Sequence, residues 1–156
     1  MGKEIERKFL VKNTSFRALA CKCLEMAQGY ISTNVDSTVR VRIADEHAYL
    51  TIKSRNVGIV RSEWEYEIPI SDAFELLRSL TNRKFINKTR YIVPFDGLLW
   101  EVDVFHEALE GLVVAEVELP SEDTEIPVLP EFIGTEVTGD PRYYNSELVR
   151  TMTIPE

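Results

Sequence analysis

Charged residues at every second position, with apolar residues between them, recur along this chain, and few folds can accommodate that pattern. In Glu4-Ile5-Glu6-Arg7-Lys8-Phe9, a strand would place Glu4, Glu6 and Lys8 on one face and Ile5, Arg7 and Phe9 on the other. The device returns in Val39-Arg40-Val41-Arg42-Ile43 and in the stretch ending at Lys53. Arg61, Glu63, Glu65 and Glu67 alternate with Trp64, Tyr66 and Ile68. Lys88 pairs with Arg90, Glu101 with Asp103, and Glu116 with Glu118 in the same way. Together these strand faces carry nine acids and seven bases. Unpaired buried charge costs several kcal/mol or more, so such a set must line something wet.

The intervening residues order the strands. Strand 3–11 precedes a helix start at Asn13-Thr14-Ser15, and a second strand, Leu24 to Ser32, carries Tyr30. Turns at Asn34–Ser37 and Asp45-Glu46-His47 separate the next two strands, and Ser54–Gly58 reads as a polar loop with no functional weight. After the strand that ends near Pro69, Ser71-Asp72 reads as a helix cap, and Phe74, Leu77 and Leu80 predict an amphipathic helix over 72–81. Strands near 84–95, 98–106 and 111–120 follow, with Asp96-Gly97 as a hairpin signal. Glu122 to Gly139 gives no clear signal, and 140–149 reads as a helix with Pro141 in its first turn.

Eight mostly antiparallel strands with one charged face form either an open sheet or a closed barrel. The mixed charge favours the barrel: mainly β, wet inside, with helices packed on the apolar outside. A length of 156 residues suits one domain, 1–156. No apolar run nears the roughly 20 residues that span a bilayer, and the amino terminus has no signal-peptide core, so the expected location is the cytoplasm. The net charge of −8 argues against nucleic acid or an anionic membrane as partner. A homodimer is compatible with the sequence. Cys21 and Cys23 have no companions at metal-ligand spacing, and His47 and His106 stand alone in sequence. Carboxylates without Cys or His favour magnesium or manganese over zinc. The bases, several of them arginines, match phosphate oxygens. An acidic wall facing a basic wall is a layout for a metal-bound polyanion.

The amino-terminal Glu4-Ile5-Glu6-Arg7-Lys8 resembles the Glu-x-Glu-x-Lys signature of the CYTH domain, the triphosphate tunnel metalloenzymes. The resemblance continues through Gln28-Gly29-Tyr30, Arg40-Val41-Arg42, Thr51-Ile52-Lys53, Arg61 with Glu63 and Glu65, Lys88-Thr89-Arg90-Tyr91, Glu101 to Phe105, Ala115 to Glu118, and Val137-Thr138 to Tyr143. It implies an eight-stranded tunnel that holds a small-molecule triphosphate and hydrolyses or cyclises it with Mg2+ or Mn2+. Carried over, Glu4, Glu6, Glu116 and Glu118 would bind metal, while Glu63, Glu65 and Asp103 match acidic tunnel positions. Lys8, Arg40, Arg42, Lys53, Lys88 and Arg90 would bind phosphates; Arg61 belongs to the same basic set. The segment around Arg142 and Tyr143 resembles a plug that closes one end. Similarity to the short bacterial inorganic tripolyphosphatases implies that Tyr30 and Lys88 activate the attacking water. Lys88, in a cationic cluster, is expected to have a depressed pKa. Class IV adenylyl cyclase chemistry, thiamine or nucleoside triphosphate hydrolysis, and a binding module without turnover stay open as alternatives.

Overall fold

The alternating stretches close on themselves. The computed structural model describes residues 2–156. Its strands are β1 (Gly2–Val11), β2 (Lys22–Ser32), β3 (Ser37–Ala44), β4 (His47–Ser54), β5 (Val60–Ile68), β6 (Phe85–Phe95), β7 (Leu98–Phe105), β8 (Val113–Glu118) and β9 (Ile133–Glu136). They run in the order β5-β4-β3-β2-β6-β7-β8-β1-β9, and β5 also pairs with β1. The first eight strands therefore form a closed antiparallel barrel, and β9 extends one rim. Closure rests on the length of β1, which pairs with β5 through Gly2–Ile5 and with β8 through Glu6–Leu10.

Register decides which side chains meet inside. Glu6 lies opposite Glu118 and Lys8 opposite Glu116; Tyr30 lies opposite Arg40, Lys53 opposite Glu63, and Arg90 opposite Asp103. A slip of one residue in any strand would send its charges into the outer core. At the β6–β7 hairpin, Asp96 and Gly97 both take positive φ, 49° and 77°, as a two-residue turn of the expected kind requires.

The outer apolar face is covered in two places. Helix α2 (Ile70–Leu80) packs Ala73 and Leu77 on Val41 and Ala48. On the opposite wall, Phe9, Trp100, Val102 and Val117 are covered by α1 (Phe16–Leu19) and by the coil that carries Phe132. Helices alone therefore do not cover the barrel. The stretch 122–139 contributes both this coil and β9. Strand β9 escapes a sequence reading because it has only four residues, one of them Gly134, where a Cβ would stand 3.1 Å from the Leu10 carbonyl oxygen.

Two helix expectations need correction. Helix α2 begins at Ile70, two residues earlier than the Ser71-Asp72 cap implies, behind Pro69, so that Ile70 joins the Ala73–Leu77 face. Phe74 and Leu80 consequently face solvent, 58% and 53% exposed. The carboxy-terminal helix is also two pieces. A 3-10 turn, Pro141–Tyr143, is broken by extended Tyr144 (ψ 136°) before α3 (Asn145–Thr151). Both pieces stopper one end of the barrel, where Tyr143, Leu148 and Val149 bury against Ile86, Phe105 and Val114. The barrel is thus a cup: apolar at its floor, charged above it.

Candidate active site

Above the floor lies a cavity of about 260 Å³, lined by Glu4, Glu6, Lys8, Tyr30, Arg40, Arg42, Lys53, Arg61, Glu63, Glu65, Arg90, Glu101, Glu116 and Glu118. Every sequence-derived site residue reaches this wall except Lys88 and Asp103. Those two stand behind it, 1% and 2% exposed, with Lys88 Nζ donating to Asp103 at 2.8 Å. Glu67 shares the strand parity but lies beyond the cavity, where it pairs with His47 on the surface at 2.8 Å. The lining also includes Thr38, Asn56, Thr138, Tyr144, Asn145 and Ser146. Thr38 shares the inward parity of Arg40 and Arg42 and was legible from it. Asn56 comes from the 54–58 loop, Thr138 from the turn after β9 and the last three from the plug, segments that carry no periodic signal.

The acids cluster where β1 meets β5 and β8. Burial opposes the charge of Glu4, yet Lys53 Nζ at 2.7 Å and hydrogen bonds with Glu63 and Glu6 hold its carboxyl far below the usual range. Glu63, hydrogen-bonded to Glu4 and partly buried, is pushed up to about 7. Burial, then the charges of Glu116 and Glu4, raise Glu6 well above the usual carboxylate range. Burial, Glu4 and Glu101 raise Glu118. The protein relieves this crowding by holding protons between carboxyl groups.

Those protons bear on the fit of a cation. Among the described residues no three His, Cys, Asp or Glu side chains already form a closed ligand cluster. The donors are nevertheless hard oxygens in contacting pairs on neighbouring strands, Glu4 with Glu63 and Glu6 with Glu116. A divalent cation would replace the shared protons and offset the repulsion that adds to burial at Glu6. The residues fit an oxygen-ligated metal.

The basic wall belongs to β3 and β6. Arg40 reaches Thr51 at 3.2 Å and Glu65 at 3.3 Å, and Arg42 lies 3.9 Å from Glu65. The Nε of each is buried without a protein partner. Burial, then the charges of Arg40 and Arg90, lower Arg42 to about 10. Such crowded donors favour an anion between them. Arg90 forks onto Asp103 at 2.7 and 2.9 Å and reaches Glu101 at 3.0 Å. Lys8 donates to the Tyr143 carbonyl of the plug at 3.1 Å and stands 3.5 Å from Glu116.

The two lysines near the floor differ in kind. Despite burial, Glu116 and Glu6 raise Lys8, which stays a cation. Lys88 is lowered to about 8, chiefly by burial and further by Arg90, against the pull of Asp103. The expected depression is present, with desolvation rather than a cationic cluster as its main cause.

Residues 2–144 match the CYTH domain. An inorganic triphosphatase of Acetivibrio thermocellus is 49% identical over 150 residues, covering 96% of this chain and 95% of its own. One from Nitrosomonas europaea is 39% identical, covering 97% and 99%. A solved inorganic triphosphatase structure superposes with a TM-score of 0.66 at 36% identity, over 98% of this chain and all of the other.

Proposed function

The chain belongs to the CYTH domain family, and from that premise we propose that it is an inorganic triphosphatase, hydrolysing tripolyphosphate to pyrophosphate and phosphate with Mg2+ or Mn2+. One observation carries this reading. A cup closed at its floor sets paired carboxylates on β1, β5 and β8 against the arginines of β3 and β6, across a cavity the size of a small polyanion. The near-full-length likeness to inorganic triphosphatases supports the substrate.

In this reading Arg40, Arg42 and Arg90 bind phosphate oxygens, and their fixed charges favour the transition state, where negative charge spreads over the transferred group. Lys8, Lys53 and Arg61 hold the remaining oxygens. Glu4, Glu6, Glu116 and Glu118 hold the metal, with Glu63 and Glu65 alongside; when bound, it neutralises phosphate charge and polarises the phosphoryl group. Tyr30, on the wall beside Arg40, orients the attacking water. The water's oxygen bonds to the terminal phosphorus as the bridging P–O bond breaks and pyrophosphate leaves; Lys88, standing behind the wall and deprotonated above about pH 8, takes the water's proton through an intervening water. Asp103 holds both Lys88 and Arg90 in place.

The test is phosphate release with magnesium or manganese from tripolyphosphate, ATP, thiamine triphosphate and pyrophosphate in parallel, with cyclic AMP assayed in the ATP sample. Marked preference for tripolyphosphate is the expected result. Cyclic AMP formation, or binding of tripolyphosphate without turnover, would overturn it.

A further inference from the structure

The stretch Gln28-Gly29-Tyr30 on β2 splits across the barrel wall. Gly29 faces out beneath α2, where a Cβ would stand 3.0 Å from Leu77 Cδ2 and 3.2 Å from the Lys84 carbonyl oxygen. Gln28 and Tyr30 therefore face in. Tyr30 lines the cavity, whereas Gln28 is sealed from solvent, 0% exposed. An amide so deeply buried is normally satisfied on both sides. Here only one side is engaged: Gln28 Nε2 points to the Tyr30 hydroxyl at 3.4 Å, and Oε1 is buried without a protein partner.

The neighbours give that amide a purpose. Gln28 is the register partner of Arg42, whose Nε is also buried without a protein partner. An acceptor and a donor thus lie on one cross-strand pair, directly beneath the catalytic wall. An apolar side chain of similar volume would fill the site without a buried orphan acceptor, so packing does not account for glutamine. Its place is accounted for by Tyr30. With an amide N–H directed at the phenol oxygen, the hydroxyl proton of Tyr30 is left free to point into the cavity.

We propose that Gln28 is a positioning residue for the hydrolytic reaction: its buried amide fixes the Tyr30 hydroxyl toward the cavity. The inference rests on the reading that Tyr30 orients the attacking water. It assigns Gln28 no contact with substrate. The long 3.4 Å contact then describes a bond that tightens when the cavity fills, as active-site hydrogen bonds commonly do.

The test uses Q28M, which keeps an unbranched side chain of similar length, together with Y30F and the double variant. Expected for Q28M are a kcat lowered at least about tenfold, a KM within about twofold of the parent, and a Tm equal or higher, since the orphan carbonyl is gone. The Tyr30 13Cζ resonance should move, and Q28M/Y30F should be no slower than Y30F. Full-speed Q28M beside a slow Y30F overturns the inference about Gln28 alone, as do losses that multiply in the double variant. A fully active Y30F overturns the reading of Tyr30 itself. Should Q28M fail to fold, Q28E serves: its carboxylate cannot donate to the phenol, so the same loss of kcat is expected, and unchanged kcat counts against the proposal.

Discussion

If Lys88, the lysine behind the cavity wall, is the base, its lowered pKa sets the pH dependence of turnover. With Lys88 at about 8, roughly a tenth is deprotonated at pH 7 and about nine tenths at pH 9. If it is the base, kcat/KM for tripolyphosphate at saturating metal rises about tenfold from pH 7 to pH 9 and then levels off. An unperturbed lysine, near pH 10.4, would give about a hundredfold rise over the same interval and no plateau below pH 10. The assay is initial-rate phosphate release from pH 6.5 to 10, on the parent and on K88R. Arginine keeps the cation opposite Asp103 but cannot release a proton, so K88R should be slow and should lack the limb. A parent profile that is flat, or a limb that survives in K88R, refutes Lys88 as base. Stability must follow the same sign. The folded pKa lies below the unfolded one, so the unfolded chain holds the extra proton between about pH 8 and 10.5, and this group makes the fold more stable as pH rises through that window.

Other consequences concern the acids and the wall. Glu63 is raised, so its contribution is full below its unfolded pKa and is lost as pH rises from about 4.5 to about 7. E63Q should therefore show a flatter metal-free Tm across that window than the parent; an identical slope in both would count against the shared proton between Glu4 and Glu63. Chelation should abolish turnover, and adding magnesium or manganese to chelated protein should raise Tm with metal concentration by ligand linkage. A Tm indifferent to metal would remove Glu4, Glu6, Glu116 and Glu118 from the ligand set. G29A should lose about 1–3 kcal/mol in denaturant unfolding, because the backbone of Lys84 cannot yield to the new Cβ as a side chain would; a loss below about 0.5 kcal/mol would show that α2 sits more loosely there.

The strands were legible because their period is two and their charges mark it. Glu4, Glu6 and Lys8 declare an inward face whatever pairs with them, and the same parity finds Arg40, Arg42, Glu116 and Glu118. Parity fixes a face but not a height along the barrel. It therefore could not tell that Glu67 falls outside the cavity or that Lys88 and Asp103 retreat behind its wall. The helix was less legible because Phe74, Leu77 and Leu80 imitate a buried stripe, whereas the true contact uses Ala73, small enough to bring α2 close to Val41 and Ala48. The plug residues Tyr144, Asn145 and Ser146 show no period at all. Their place in the site follows from the apolar stopper behind them, a tertiary fact about Tyr143, Leu148 and Val149.

Both walls of the cup are under strain of opposite sign, and that ties their ligands together. On the acidic wall, burial and then neighbouring carboxylates raise Glu6 and Glu118, and a hydrogen bond to Glu4 with burial raises Glu63. On the basic wall, Arg42 is lowered by burial and by its fellow arginines, and two buried Nε groups lack partners. A cation alone relieves the first wall and a polyanion alone the second. Bound together they also attract each other across the cavity, so each should bind better in the presence of the other, by the same factor in both directions. Calorimetric titration of manganese should thus give an affinity at least about fivefold higher with a non-hydrolysable imido analogue of tripolyphosphate present, a ratio at the low end of ordinary coupling energies. The analogue's affinity should rise by an equal factor with manganese, after correction for metal bound by the free analogue. Equal affinities with and without the second ligand would mean that the two walls act independently. In that case the crowding within each wall would have to be explained separately.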